Sequence, residues 1–304
     1  MKIGVLMGGI SSEREISILS GKEIVKNLDK NKYEVYPIII NSKHEVIQKV
    51  KGMDFVILAF HGVFGEDGTI QAILNSIPMP YSGCDMLTSA ICMNKKQTKR
   101  ILKAENINTA PFYVIYKNKK VNFERFEALN YPMFVKPNNG GSSIGISMAS
   151  NKQELEQNIK EAFKYDDEVI VEKYIAGDEY TVCMLNGEVL PILSIKSKGK
   201  FFDYKCKYTE GKSEETLAKL PNELERKIKE VSKQCWEIFD CRAYVRVDII
   251  VNNGIPYVLE LNTLPGMTTN SLFPKSAALA GMKYSVLLDK IIEYSFWHCF
   301  KGRF

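Results

Sequence analysis

The chain has 304 residues, 45% of them hydrophobic and 25% charged, with 41 Lys and Arg against 36 Asp and Glu for a formal net charge of +5. This length exceeds one ordinary core and predicts two or three subdomains, while the composition excludes disordered and fibrous classes. The mild charge comes without a long basic block, which argues against a nucleic-acid partner.

A short buried strand is predicted at 3–7 and a helix at 13–28 with Ile16, Leu19, Ile24 and Val25 facing inward. Further strands are predicted at 35–40 and 55–60. Strands and helices alternating in this way build a parallel sheet with covering helices, an α/β unit whose ligands gather beyond the carboxyl ends of its strands. Two of those ends carry candidate residues, 8–13 after the first strand and His61-Gly62 after the third. The apolar run before Gly8-Gly9 is too short for a signal peptide, and no stretch reaches the roughly eighteen apolar residues of a membrane span. The expected location is the cytoplasm, with no membrane partner.

A second unit begins near Lys95 with a helix on which lysines 95, 96, 99 and 103 recur at helical spacing, the pattern of a solvated face. Strands follow at 112–116, 133–136 and 144–148, then a helix at 153–165 and a strand at 169–173. Between the second and third of these strands lies Lys136-Pro137-Asn138-Asn139-Gly140-Gly141-Ser142-Ser143. Small residues let backbone amides approach phosphate oxygens, and Lys136 adds a point charge, although a plain hairpin turn fits the same residues. The loop lacks both the Walker pattern and GxGxxG. A third unit opens at about Tyr180 with strands at 181–185 and 189–195. The stretch 198–219, low in apolar residues, reads as a mobile loop, and a long helix is predicted at 222–239.

The last two predicted strands carry the densest chemistry. Arg246 and Asp248 alternate with Val247 and Ile249 on one, and Glu260 and Asn262 are two apart on the other, so each pair projects from one face of its strand. A two-residue Asn253-Gly254 turn pairs 252 with 255 and sends Asp248 and Glu260 to opposite faces. A three-residue turn with Gly254 in a bulge pairs 251 with 255 and gathers all four groups on one face. Oxygen donors converging without His or Cys form a hard-cation site of the kind Mg²⁺ uses while holding nucleotide phosphates, with Arg246 facing the anions. The expected turn is therefore the three-residue one. The seven cysteines are scattered without a CxxC pair, as suits reduced thiols filling cores.

The order of these pieces resembles a known family. Gly8-Gly9 with 12–17 (SEREIS), HGxxGEDGTIQ at 61–71, KPxxxGSSIGIS at 136–147, EKYIxGxEYTV at 172–182, DYxxKY at 203–208, RVD at 246–248 and ELNTxPGMTxxSLxP at 260–274 together resemble the D-alanine:D-alanine ligases of the ATP-grasp superfamily. The resemblance runs from the first strand to the last helix. It implies a three-domain α/β (α+β) fold with a Rossmann-like domain at 1–93, a central ATP-grasp subdomain at 94–179, and a C-terminal subdomain at 180–304 with 198–219 as lid. It also implies ATP-dependent joining of two D-alanines through an acyl phosphate for peptidoglycan precursors, in a homodimer.

Carried over position by position, the resemblance assigns Asp248, Glu260 and Asn262 to two Mg²⁺ ions, with Mn²⁺ able to substitute. Arg246 and the Gly266 amide would stabilise the oxyanion. Lys95, Lys136 and Lys207 would bind phosphates, with Ser143 in the same cradle. Adenine would lie along Glu172, Lys173 and Ile175, with Glu179 on the ribose. Glu13, with His61 beside it, would hold the ammonium of the first D-alanine. Ser142 and Tyr208 would join Glu13 in a hydrogen-bonded network, and Ser271 and Leu272 would meet the carboxylate of the second D-alanine. Tyr208, where D-lactate-using relatives tend to carry Phe, favours an amine acceptor. Asn94 stands where the family usually has Asp, and Gly140 where an acid is common.

Overall fold

The computed structural model describes residues 1–141, 144–197 and 213–301, with the backbone alone at 197, 213 and 298–301. Three sheets organise it. The first is parallel, in the order β2(Glu34–Ile40), β1(Lys2–Gly8), β3(Phe55–Leu58). Helices α1(Arg14–Asn27), α2(Val46–Lys49) and α3(Thr69–Ser76) accompany it, followed by α4(Met86–Met93) and α5(Lys95–Ala104). The second sheet is antiparallel, in the order β4(Phe112–Tyr116), β7(Glu168–Lys173), β5(Met133–Pro137), β6(Ser147–Ala149), with α6(Lys152–Ala162) packed on β5 and β6. The third contains β8(Asp178–Leu185), β9(Glu188–Val189), β10(Leu193–Ser197), β11(Ser213–Leu217), β12(Tyr244–Asn252) and β13(Ile255–Asn262), with α7(Asn222–Ile238) against it. Helices α8(Leu272–Leu279) and α9(Tyr284–Lys301) close the described chain.

Three buried clusters fill the structure, and they follow neither strict chain order nor one sheet each, since Cys183 and Leu185 of β8 and Tyr244 of β12 pack into the core of the first sheet. Leu287, Leu288, Ile291 and Ile292 of α9 belong to the same buried cluster as Ile3, Val5 and Phe55 of the first sheet, so the end of the chain covers its beginning. Cys92 of α4 and Leu102 of α5 pack with Val247, Ile249 and Leu261 of the third sheet. No helix among the described residues is long and apolar enough to cross a membrane.

Four sequence expectations need correction. Leu19 is exposed, and the buried face of α1 is Ser17, Ser20, Gly21 and Ile24. A Cβ on Gly21 would come within 2.6 Å of the Met7 Cβ, so close approach to β1, not side-chain hydrophobicity, selects that face. The single strand expected at 189–195 is interrupted at Pro191, which has no amide to donate, and becomes β9 and β10. Part of the expected loop 198–219 is strand β11, antiparallel to β10, while 198–212 lies outside the described residues. The lysine-rich face of α5 is not uniformly solvated, because Lys96 and Lys99 are buried against carboxylates of β7.

Candidate active site

The hairpin of β12 and β13 turns through two residues, Asn253 (φ 49°) and Gly254 (φ 74°), pairing Asn252 with Ile255. The expected three-residue turn is therefore absent. A regular ladder from this turn would place Glu260 on the wrong face, but the register shifts between Asp248 and Ile249, leaving Leu259 as an extra residue. Asp248 then faces Glu260 and Arg246 faces Asn262, with Val247, Ile249, Val258 and Leu261 buried on the other side. The bulge thus achieves by another route what the polar pattern required.

Asp248 is the hub of this face. Arg246 donates to both of its oxygens, at 2.9 Å from Nε and 2.8 Å from Nη2, Asn262 donates at 3.1 Å, and the Thr181 hydroxyl from β8 also donates to it. Burial works against the Arg246 charge, yet Asp248 and Glu260 outweigh it and raise the guanidinium pKa. Among the described residues no group of three or more His, Cys, Asp or Glu side chains is arranged to hold a metal. Two carboxylates and an amide oxygen on one face are nevertheless the hard donor set Mg²⁺ takes when phosphates and water complete its shell. The donors fit the ion provided that the grip of Arg246 on Asp248 is exchanged for phosphate.

The parallel sheet supplies a second wall. Glu13 and His61, beyond the ends of β1 and β3, are both buried. The His61 ring contacts the Ser20 hydroxyl at 3.1 Å, and burial, aided by Arg246, pushes its pKa down to about 4. It is therefore neutral near pH 7. Glu66 accepts from the Gly62 amide at 2.6 Å, and burial followed by the charge of Glu13 raises its pKa to about 8. A Cβ on Gly141 would lie 3.3 Å from Oε2 of Glu13 and 3.7 Å from Oε2 of Glu66, so the glycine loop approaches this wall closely. The influence of Arg246 on His61 and Glu66 ties the two walls into one site.

A third wall is cationic. Lys95, first residue of α5, donates to the Gly140 carbonyl at 2.6 Å, and Asn94 caps that helix by accepting from the Gln97 amide at 3.0 Å, as an Asp would. The buried Asn138 accepts from the Lys96 amide at 2.7 Å and fastens the loop to the helix start. Glu172 is buried between Lys136 and Lys99 rather than open to a ligand through its side chain, and these lysines hold its pKa at about 2 against burial. Burial opposes the charge of Lys136, but Glu172, Glu260 and Glu179 together raise its pKa. Lys173 is exposed and Ile175 and Glu179 are half-buried along the same edge.

The fourth element is the turn before α8. The Ser271 hydroxyl accepts from the Thr268 amide at 3.1 Å and lies where a Cβ on Gly266 would come within 2.9 Å. Leu272 begins the helix. Ser142, Ser143, Lys207 and Tyr208 lie outside the described residues. Glu66, Thr181, Lys99 and Asn138 gained no role from sequence. Glu66 and Thr181 sit inside quoted motifs, a usable signal, whereas Lys99 and Asn138 become interpretable only through their buried partners.

The chain matches the family model for the D-ala D-ala ligase N-terminus over residues 2–52 and 42–84, and that for the C-terminus over 101–293. It is 52% identical over 295 residues, 97% of this chain and 98% of the relative, to a D-alanine:D-alanine ligase of Clostridium botulinum (strain Loch Maree / Type A3). The crystal structure of D-alanine:D-alanine ligase from Bacillus anthracis complexed with ATP is 45% identical, with TM-score 0.92 and 99% of each chain covered. A D-Ala:D-Ser ligase from Enterococcus faecalis is 32% identical, covering 97% of this chain and 99% of the other, with TM-score 0.86. With family models covering most of its length and a half-identical relative along nearly all of it, this chain belongs to the D-alanine:D-alanine ligase family.

Proposed function

We infer that the protein joins two D-alanine molecules to D-alanyl-D-alanine for peptidoglycan precursors, with ATP converted to ADP and phosphate. The observation that carries this reading is the shared face of Asp248, Glu260, Asn262 and Arg246 on the third sheet, whose Arg246 charge acts on the buried His61 at the end of the first sheet, where Glu13 is also buried. Glu13 receives the ammonium of the first D-alanine, whose carboxylate oxygen attacks the γ-phosphorus as ADP leaves. The amine of the second D-alanine, its carboxylate held at Ser271 and Leu272, attacks the acyl phosphate carbonyl, and phosphate departs from the tetrahedral adduct. Arg246 and the Gly266 amide stabilise the oxyanion, and neutral His61 lends hydrogen bonding without repelling the ammonium.

Lys95, Lys136, Ser143 and Lys207 hold phosphates, the edge from Glu172 to Ile175 lines the adenine, and Glu179 takes the ribose. Ser142 and Tyr208 link Glu13 to the closing segment. Two Mg²⁺ ions at Asp248, Glu260 and Asn262, replaceable by Mn²⁺, would neutralise phosphate charge. Division at about 93 and 179 into three domains, a homodimer and a cytoplasmic location complete the proposal. Phosphate release with ATP and Mg²⁺ is expected to depend on D-alanine and to be much weaker with D-lactate, D-serine or L-alanine. A folded protein without D-alanine-dependent release refutes the reading. Asp248→Ala is expected to lower kcat at least about a hundredfold, and full activity in that variant overturns the metal assignment.

A further inference from the structure

A chain of buried contacts links the strand bearing Glu260 to the lysine at the glycine loop. β13 is an edge strand, and just before the Leu259 bulge the segment between α5 and β4 covers its edge. The Val258 amide donates to the Asn108 carbonyl at 2.8 Å, and the Thr109 hydroxyl donates to the Val258 carbonyl at 2.8 Å. Thr109 Oγ in turn accepts from Lys99 Nζ at 2.9 Å, and Lys99 also reaches the Ala110 carbonyl at 3.3 Å. Lys99 pairs with Glu172 at 2.8 Å, and the other oxygen of Glu172 pairs with Lys136. Lys99 and Glu172 are almost wholly buried, so neither is free to exchange this geometry for water.

We propose that Thr109 and Lys99 are positioning residues that couple metal binding on β13 to nucleotide binding at Lys136. Neither touches a substrate. Movement of Glu260 on taking up the ion is transmitted through Val258, two residues away, to the Thr109 hydroxyl, and from Lys99 to the carboxylate that aims Lys136. Glu172 Oε2 has no hydrogen-bond partner beyond its 2.8 Å ion pair with Lys99, so a shift of that ammonium leaves a buried charge poorly matched. The inference rests on the assignment of the ion to Asp248, Glu260 and Asn262.

The test is calorimetric binding of ADP to the full-length protein, with and without Mg²⁺, which is independent of turnover. Thr109→Val removes the hydroxyl at nearly constant volume and Thr109→Ser retains it. The factor by which Mg²⁺ tightens ADP binding is expected to fall about fivefold in Thr109→Val and to stay within about twofold of the parent in Thr109→Ser. If Thr109→Val does not fold, Lys99→Gln is read in its place with the same expected loss. An unchanged Mg²⁺ factor in a folded variant overturns the relay. A parent protein whose ADP binding ignores Mg²⁺ overturns the metal assignment beneath it, and a parent that shows the Mg²⁺ effect yet never joins D-alanine contradicts the ligase reading alone.

Discussion

The half-buried Glu66 has opposite pH behaviour to the buried Glu172. Below about pH 4.5, the ordinary value for Glu, its carboxyl is protonated whether the chain is folded or not. As pH rises toward about 8 the unfolded chain releases that proton while the folded protein retains it, so stability is lost across this window. Glu172, lowered to about 2, contributes stability above about 4.5 that is lost as pH falls toward 2. Glu66→Gln is expected to gain melting temperature over the parent by a few degrees at about pH 8 and almost nothing at about pH 5. Thermal melts at both values check this, and a difference independent of pH contradicts the protonated state of Glu66. The role of Glu66 was half legible in the sequence, since it stands in the acid-rich turn after β3. Its neighbourhood with Glu13 was not, because nothing local relates residues 53 positions apart.

At the scale of elements, α1 and the β12-β13 hairpin place the site by close backbone contact. Ser17 accepts from the Gly8 amide at 2.8 Å and Ser20 meets His61, which requires α1 to lie tight against β1 at Gly21. Gly21→Val is expected to cost about 1–3 kcal/mol by overpacking against Met7. It should also raise KM for the first D-alanine more than KM for ATP, because Glu13 moves with the helix. Steady-state kinetics with a denaturation curve separates the two effects, and an unchanged ratio of the two KM values counts against the argument. The helix was legible from its apolar periodicity and its direction was not, because Leu19 fits an inward stripe equally well until the distance to β1 is fixed. The hairpin repeats the lesson. Alternation showed which residues had to share a face, while the choice between a longer turn and a bulge at Leu259 depends on how β12 is already paired with β8.

For the whole molecule, the end of the chain supports its beginning. Helix α9 buries Leu288 and Ile291 in the core of the first sheet, and the Phe296 ring lies 6.1 Å from that of Phe55. Leu288→Ala is expected to destabilise the protein by about 2–5 kcal/mol and to raise protease sensitivity within the first sheet as well as in α9. Limited proteolysis with identification of the cut sites checks this, and cleavage confined to α9 shows that the two do not share a core.

Composition, periodicity and the ordered motifs were enough to determine the α/β class, most element positions, and which oxygen donors and cations to propose for the chemistry. These are local properties, carried by residue type and spacing along one strand, helix or loop. Tertiary structure alone decided that Lys96 and Lys99 are buried ion-pair partners, that burial and Glu13 push the Glu66 pKa up, and that a bulge brings Glu260 opposite Asp248. Burial and charge proximity arise between segments distant in sequence, so the energies that set these outcomes exist only once the sheets have met.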